Sequence, residues 1–294
     1  MKFAAIDIGS NAIRLLIARP LEPKNPISPF KSVEVTRLPL RLGDDVFKKG
    51  KISSKKEALL LKAMKAFEYL TEIYNVDGLR ACATSAMRDA SNSKDIRKKI
   101  KDSTGINIEV ISGLDESRIL QKTILTTIKS KRNYLHIDVG GGSTELTIIK
   151  NKESVIYESF NIGTVRMMEG SVDEKEKENM ANWLHKVYDK YGNLRAIGTG
   201  GNIVKLNSLG NPSSKKPMTM IDLKKVNKQL QKLSHSERVY DLKLNPDRAQ
   251  VIDKAGEIFI DIMKNGKIDK VDVPRKGLKD GIILGLWQEY LAKQ

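Results

Sequence analysis

Apolar and polar residues alternate at the start of the chain, in "KFAAIDIG", "AIRLLIAR" and "SVEVTRL", which predicts strands through residue 38. Prolines at 20, 23, 26 and 29 interrupt them in "PLEPKNPISP". That spacing admits polyproline II, but its place between two strands reads as a stiff hairpin connection. The period then lengthens. Leu60, Met64, Phe67, Leu70 and Tyr74 form a helical stripe across 54–74. Strand "LRACATS", a helix over 93–102, strand "INIEVIS" and a helix from about Asp115 to Ile128 follow. A second β-rich stretch, "YLHIDVGGGSTELTIIK" (134–150), continues into "ESVIYESFNIG". A charged helix over 173–191 and strand "LRAIGTG" lead into "GNIVKLNSL". The remainder is mostly helical: Asn245-Pro246 caps a helix with Ala249, Ile252, Ala255, Phe259 and Ile262 on one face, and Gly266 ends it. Strand "KVDV" and a final helix complete the pattern.

The pattern repeats once. "IDIG" at 6–9 and "IDVG" at 137–140 each open a strand–tight turn–strand unit, and Asp138 lies 131 residues after Asp7. One repeat of that length implies two related domains rather than a solenoid. The boundary is expected at residues 122–131, giving domains 1–124 and 125–294, with the last helix, about 279–294, packing back on the first.

Composition narrows the class. A chain of 294 residues, 40% hydrophobic and 30% charged, is a globular protein with room for two cores. No apolar run approaches the ~20 residues of a membrane span. The single cysteine, Cys82, excludes an internal disulfide framework and points to a reducing, cytoplasmic location. Lys+Arg 52 against Asp+Glu 36 gives a formal charge of +16, which favours a polyanionic partner. The lysines are dispersed, with "KSKR" (129–132) the densest cluster, and aromatics are only 5%. Stacking platforms for nucleic acid are therefore scarce, and no specific nucleic-acid site is evident.

Three glycine turns carry the candidate chemistry: Asp7-Ile-Gly-Ser-Asn11, Asp138-Val-Gly-Gly-Gly-Ser-Thr144 and Gly198-Thr-Gly-Gly-Asn202. Glycine permits positive φ and lets a phosphate reach the backbone, where successive N–H groups converge on an anion. Ser10, Ser143 and Thr144 add hydroxyls, and Asp7 and Asp138 are suited to Mg²⁺, directly or through water. Ordinary hairpin turns use the same residues; the recurrence of the leading Asp favours phosphate. No G-x-x-x-x-G-K-[ST] is present, and Ile203 stands where a dinucleotide fingerprint needs Gly or Ala. Asp115 and Glu116 open a helix after Gly113, where an acid pair also complements the helix dipole.

"AAIDIGSNAIRLLIA", "ACATSAMRDASNS", "IEVISGLDESRIL", "LHIDVGGGSTELTII", "NIGTVRM", "AIGTGGN" and "RKGLKDGI" occur in the order found in the exopolyphosphatase/guanosine pentaphosphatase (Ppx/GppA) family. The chain resembles that family over almost its whole length, in the short form without the C-terminal helical His-Asp domain. The resemblance implies an α/β fold of two ribonuclease-H-like domains from the acetate and sugar kinase/heat-shock chaperone/actin superfamily, with an interdomain cleft. It implies Glu116 as general base and Asp138 as the holder of Mg²⁺ (or Mn²⁺). Glu145 would orient metal or water. Gly140, Gly141, Gly142, Ser143 and Thr144 would cradle phosphate, facing Ser10 and Asn11, with Gly200 and Gly201 of the third turn and Arg88 also meeting phosphate. Three positions depart from the family pattern: Ala12 replaces a serine, Asp115-Glu116-Ser117 replaces Glu-Glu-Ala, and Lys279 stands where arginine is common, losing the bidentate fork.

The activity implied is Mg-dependent hydrolysis of terminal phosphoanhydrides. Inorganic polyphosphate suits the +16 charge, with guanosine pentaphosphate (pppGpp) the alternative. A kinase of the same superfamily and a non-catalytic polyphosphate or alarmone sensor are the rivals. Oligomeric state stays open, with a homodimer offered by the resemblance and by the prevalence of two-fold assemblies.

Overall fold

The computed structural model describes residues 1–128, 132–210 and 216–294, so most of the "KSKR" cluster and of the expected boundary's last residues lie outside it. The chain divides into two compact units, Met1–Thr126 with Gly277–Gln294, and Thr127–Lys276.

In the first unit the three opening strands are β1 (Phe3–Ile8), β2 (Ile13–Pro20) and β3 (Phe30–Leu38), followed by α1 (Leu42–Lys49) and α2 (Ser54–Ile73). Then come β4 (Gly78–Ala83), α3 (Ser85–Asp89), α4 (Ser93–Thr104), β5 (Ile108–Val110) and α5 (Gly113–Leu125). The sheet order is β3-β2-β1-β4-β5, antiparallel across the first three strands and parallel from β1 to β4 to β5. β1 is buried along its entire length, as a central strand covered on both faces must be. Two short helices escape periodicity. α1 starts at Arg41 in the left-handed region (φ 52) without a side-chain cap, and α3 has only five residues.

The second unit repeats the plan. β6 (Tyr134–Val139), β7 (Thr144–Lys150) and β8 (Glu153–Phe160) lead to α6 (Thr164–Met168), α7 (Glu174–Tyr191) and β9 (Arg195–Thr199). After α8 (Gly201–Gly210) come β10 (Met218–Thr219), α9 (Met220–Lys232), α10 (His235–Tyr240), α11 (Pro246–Ala249), α12 (Ile252–Asn265) and β11 (Lys270–Asp272). The order is β10-β11-β9-β6-β7-β8, so β8-β7-β6-β9-β11 reproduces the first sheet with one strand added at the edge. The helix expected from Asn245 is two: α11 stops at Ala249, and α12 carries the apolar face of Ile252, Ala255, Phe259 and Ile262.

The last helix, α13 (Leu278–Leu291), belongs to the first unit. Ile282, Ile283 and Trp287 bury against Phe3, Ala5, Leu16 and Ile119. Trp287 Nε1 donates to Asn25 O at 2.8 Å, fixing the proline-rich β2–β3 connection. Contact with α5 is backbone-close: a Cβ on Gly281 would lie 2.3 Å from Ile119 O, so only glycine fits. Among the described residues no helix is long and apolar enough to cross a membrane.

Candidate functional site

In each unit the candidate residues gather at the carboxyl ends of the parallel strands, where open α/β sheets bind ligands. In the first unit these ends are Ile8, Ala83 and Val110. The turn after β1 carries Ser10 and Asn11, the segment after β4 carries Ser85 and Arg88, and the segment after β5 leads to Glu116 in the first turn of α5. Ser10 Oγ and Ser85 Oγ share a hydrogen bond at 2.8 Å. Arg88 Nη1 donates to Ile111 O at 3.1 Å, linking α3 to the approach to Glu116. Ser112 caps α5 by accepting from Asp115 N and donates its hydroxyl to the Asp115 carboxylate, holding that acid below its usual range. Asp115 is therefore a capping acid, while Glu116, half-buried, stands next to it.

Asp7 is buried and its carboxylate accepts from Arg14 Nη1 at 3.0 Å, in direct register across the β1–β2 pair. Cys82 faces Asp7 on the other side of β1. Burial pushes its thiol up to about 12, opposed by Arg80 and reinforced by Glu109, Asp7 and Glu116. The cysteine is a packed core residue within the electrostatic reach of two candidate acids.

The second unit builds its turn differently. Gly140 N donates to Ser143 O at 2.9 Å, closing the hairpin. Thr164 N donates to Gly140 O, Val165 N and Arg166 N donate to Gly141 O, and Arg166 Nε donates to Gly142 O. Three successive carbonyls thus point at the start of α6. Because C=O and N–H lie antiparallel in a trans peptide, the N–H groups of Gly141, Gly142 and Ser143 point away from it. This leaves three successive N–H groups on the opposite side of the turn, where an anion could be received. Gly163 makes the approach possible: a Cβ there would sit 2.4 Å from Gly141 O. The first turn has a weaker form of the same device, with Ser10 O and Asn11 O accepting from Gly43 N and Arg41 N.

Asp138 and Glu145 face each other across the β6–β7 pair. Two carboxylates directly opposite are destabilising unless hydrogen bonds or a cation offset them. Asp138 Oδ1 accepts from Thr199 Oγ1 at 2.9 Å, and Glu145 Oε1 accepts from Ser143 Oγ at 2.7 Å and Ser159 Oγ at 3.2 Å. Thr199 Oγ1 is in turn 2.9 Å from His136 Nε2. His136 is 1% exposed, and burial lowers its pKa to about 3. Gly200 has φ +99, and a Cβ on it would come 3.3 Å from Asp138 Oδ1. A Cβ on Gly201 would meet Arg248 Nη2 at 3.1 Å.

These positions refine the expectations. Positive φ belongs to Gly200, whereas Gly9, Gly140, Gly198 and Gly201 have ordinary backbone angles and serve close approach instead. Thr144 is fully buried and its hydroxyl donates to Ile162 O at 2.5 Å, so it locks the hairpin instead of offering a donor to phosphate. The Ser143 hydroxyl proton is committed to Glu145, leaving its N–H for an anion. Lys279 Nζ pairs with Asp280 at 2.9 Å. Arg14, Gly163, Thr164, Arg166, Thr199 and His136 received no role from sequence. "NIGTVRM" marked three of them without saying what they touch.

For a divalent cation the donor chemistry fits. Mg²⁺ takes one or two carboxylates and fills its remaining positions with water and phosphate oxygen, so it needs no all-protein cage. Asp138 and Glu145, opposed and oriented by hydroxyls, would supply that pair. Among the described residues no group of three or more His, Cys, Asp or Glu side chains is gathered for a metal.

The Ppx/GppA phosphatase family model matches residues 23–289. An exopolyphosphatase 1 of Mycobacterium leprae is 24% identical across 97% of this chain and 89% of its own length. A guanosine-5'-triphosphate,3'-diphosphate pyrophosphatase of Aliivibrio fischeri is 25% identical across 98% of this chain, which spans 59% of that relative. The crystal structure of the Aquifex aeolicus Ppx/GppA family member superposes over 100% of this chain and 99% of its own, at 25% identity and a TM-score of 0.77. The repeated β3-β2-β1-β4-β5 sheet is the ribonuclease-H-like plan of the actin superfamily. The chain belongs to the Ppx/GppA phosphatase family, and with it to the hydrolases.

Proposed function

We propose that this chain hydrolyses the terminal phosphoanhydride of inorganic polyphosphate and releases orthophosphate. The observation that carries this reading is the turn after β6, whose three carbonyls are tied to α6 and whose next three N–H groups point the other way, beside Asp138. Phosphoryl transfer needs positioning and charge neutralisation more than covalent help. The N–H groups of Gly141, Gly142 and Ser143, with Gly200 and Gly201 following the neighbouring strand β9, would receive the phosphoryl oxygens. Ser10, Asn11 and Arg88 would bind phosphate from the first unit. Asp138 and Glu145 would hold Mg²⁺, and Asp7, paired with Arg14, would act through water. The cation supplies charge neutralisation on the phosphate oxygens when bound. Glu116 would take a proton from the attacking water as its oxygen bonds to the terminal phosphorus and the bridging P–O bond breaks, leaving the electron pair on the shortened chain.

The +16 charge supports a long polyanion. The name of the Aliivibrio relative supports pppGpp as the second reading. Phosphate release from long-chain polyphosphate and from pppGpp, measured side by side with Mg²⁺, separates them; faster release from pppGpp reverses the choice. Glu116→Gln is expected to abolish turnover while polyphosphate binding survives. Turnover at the parent rate in that variant removes Glu116 from the mechanism.

A further inference from the structure

His136 lies two residues before Asp138 on the same face of β6, and Thr199 sits beside Asp138 on the parallel neighbour β9. The distances His136 Nε2 to Thr199 Oγ1 and Thr199 Oγ1 to Asp138 Oδ1 are both 2.9 Å. A threonine hydroxyl has one proton, and an ionised carboxylate can only accept. The Thr199 proton therefore goes to Asp138, and its oxygen must accept from His136. That makes His136 Nε2 the donor and requires a proton on that nitrogen.

We infer that His136 is a positioning residue for the carboxylate that would hold the metal: through Thr199 it fixes Asp138 Oδ1, and with it the orientation of the carboxylate. The inference rests on the function proposed above for Asp138. A two-bond chain, each bond polarising the next, orients the carboxylate better than a lone threonine, whose hydroxyl could otherwise rotate. His136 and Thr199 are each 1% exposed, so water does not compete for these bonds. A buried histidine on a strand packed among apolar residues has a plainer use as a core filler. The 2.9 Å contact to a hydroxyl that itself contacts the candidate ligand argues for the chain. Outer partners of this kind set ligand orientation, and their loss typically weakens metal affinity about 10–100-fold.

The test uses the full chain, with His136→Leu, His136→Gln, Thr199→Val, Thr199→Ser and the Leu/Val double variant. The concentration of Mg²⁺ giving half-maximal phosphate release should rise about tenfold or more in His136→Leu and Thr199→Val. Thr199→Ser, which keeps the hydroxyl, should stay near the parent. His136→Gln, whose amide can still donate, should fall between. The double variant should be no worse than Thr199→Val, since the two residues act in series. Two readouts need no turnover. Direct titration with Mn²⁺, followed by electron paramagnetic resonance, should weaken in the same order. Nitrogen NMR of ring-labelled histidine should show His136 as Nε2–H in the parent and a changed signal in Thr199→Val. If the parent releases no phosphate, the proposed function fails, while Mn²⁺ affinity and the tautomer still judge the chain. Unchanged metal dependence with only a lower melting temperature, or an Nδ1–H tautomer, overturns the inference. If His136→Leu does not fold, the glutamine variant and the parent spectrum decide.

Discussion

The two strand–turn–strand units differ most where they align best. Asp7 faces Arg14 across its hairpin, and Asp138 faces Glu145 across the other. Both partners stand seven residues beyond their aspartate, so Glu145 occupies in the second unit the place that Arg14 holds in the first. In the first hairpin the aspartate faces a basic residue in register; in the second it faces another acid. On the function proposed above, a bound cation would offset the second pair of acids, while Arg14 already offsets Asp7.

The largest effect expected from this contrast is in turnover. Asp138→Asn should lower kcat by about 10²–10³-fold, the scale for loss of one electrostatic contact to the transition state. Asp7→Asn should act mainly on stability, by about 1–3 kcal/mol, because it leaves the half-buried Arg14 without its counter-charge. Urea unfolding and steady-state rates on both variants test this; equal losses of kcat would dissolve the distinction. Arg14→Glu rebuilds the acidic pair in the first turn. It should destabilise by about 1 kcal/mol beyond the lost ion pair, with partial recovery of melting temperature on adding Mn²⁺. No recovery would mean that opposed acids alone do not make the site.

The braces of the two units give the next test. Gly163→Ala drives a Cβ into Gly141, and Gly281→Ala drives one into Ile119 on the helix that bears Glu116. Each should cost about 1–3 kcal/mol of stability from overpacking. Gly163→Ala should also raise KM for polyphosphate by tilting the turn after β6, whereas Gly281→Ala should lower kcat with KM little changed. Swapped kinetic signatures would exchange the roles assigned to the two glycines. The smallest effect is a silent one. Cys82, raised to about 12 by burial, should resist iodoacetamide at pH 8 in the native protein and label rapidly in urea. Fast native labelling would show that β4, beside Asp7, opens readily.

Much of the fold was legible because long stripes and alternations survive packing. The helix on Leu60, Met64 and Phe67, the charged helix near 173–191 and the opening strands all match their sequence pattern. α1 and α6 were not legible, since both are short and held by backbone hydrogen bonds to glycine turns that no periodicity reports. In the candidate site the aspartates and glycines announced themselves by recurrence. Their partners did not. Arg14 needed hairpin register, and Thr199 and His136 needed to know that β9 lies beside β6, across 63 residues. Thr144 misled because a hydroxyl beside a glycine turn looks like a phosphate donor until its partner, Ile162 O, is located.

The seating of α13 on β1 carries a consequence for how the chain is made. Phe3 finds Trp287 only after nearly the whole polypeptide has emerged. At about 5–20 residues per second, the stretch from Thr126 to Gly277 takes on the order of ten to thirty seconds to synthesise. During that interval the apolar surface of β1 and α5 that α13 will cover stands open, whereas the second unit, continuous in sequence, is complete once Lys276 has emerged. The nascent first unit is therefore the natural client for a chaperone, and truncation before Trp287 should impair the unit that begins the chain more than the one that precedes the cut.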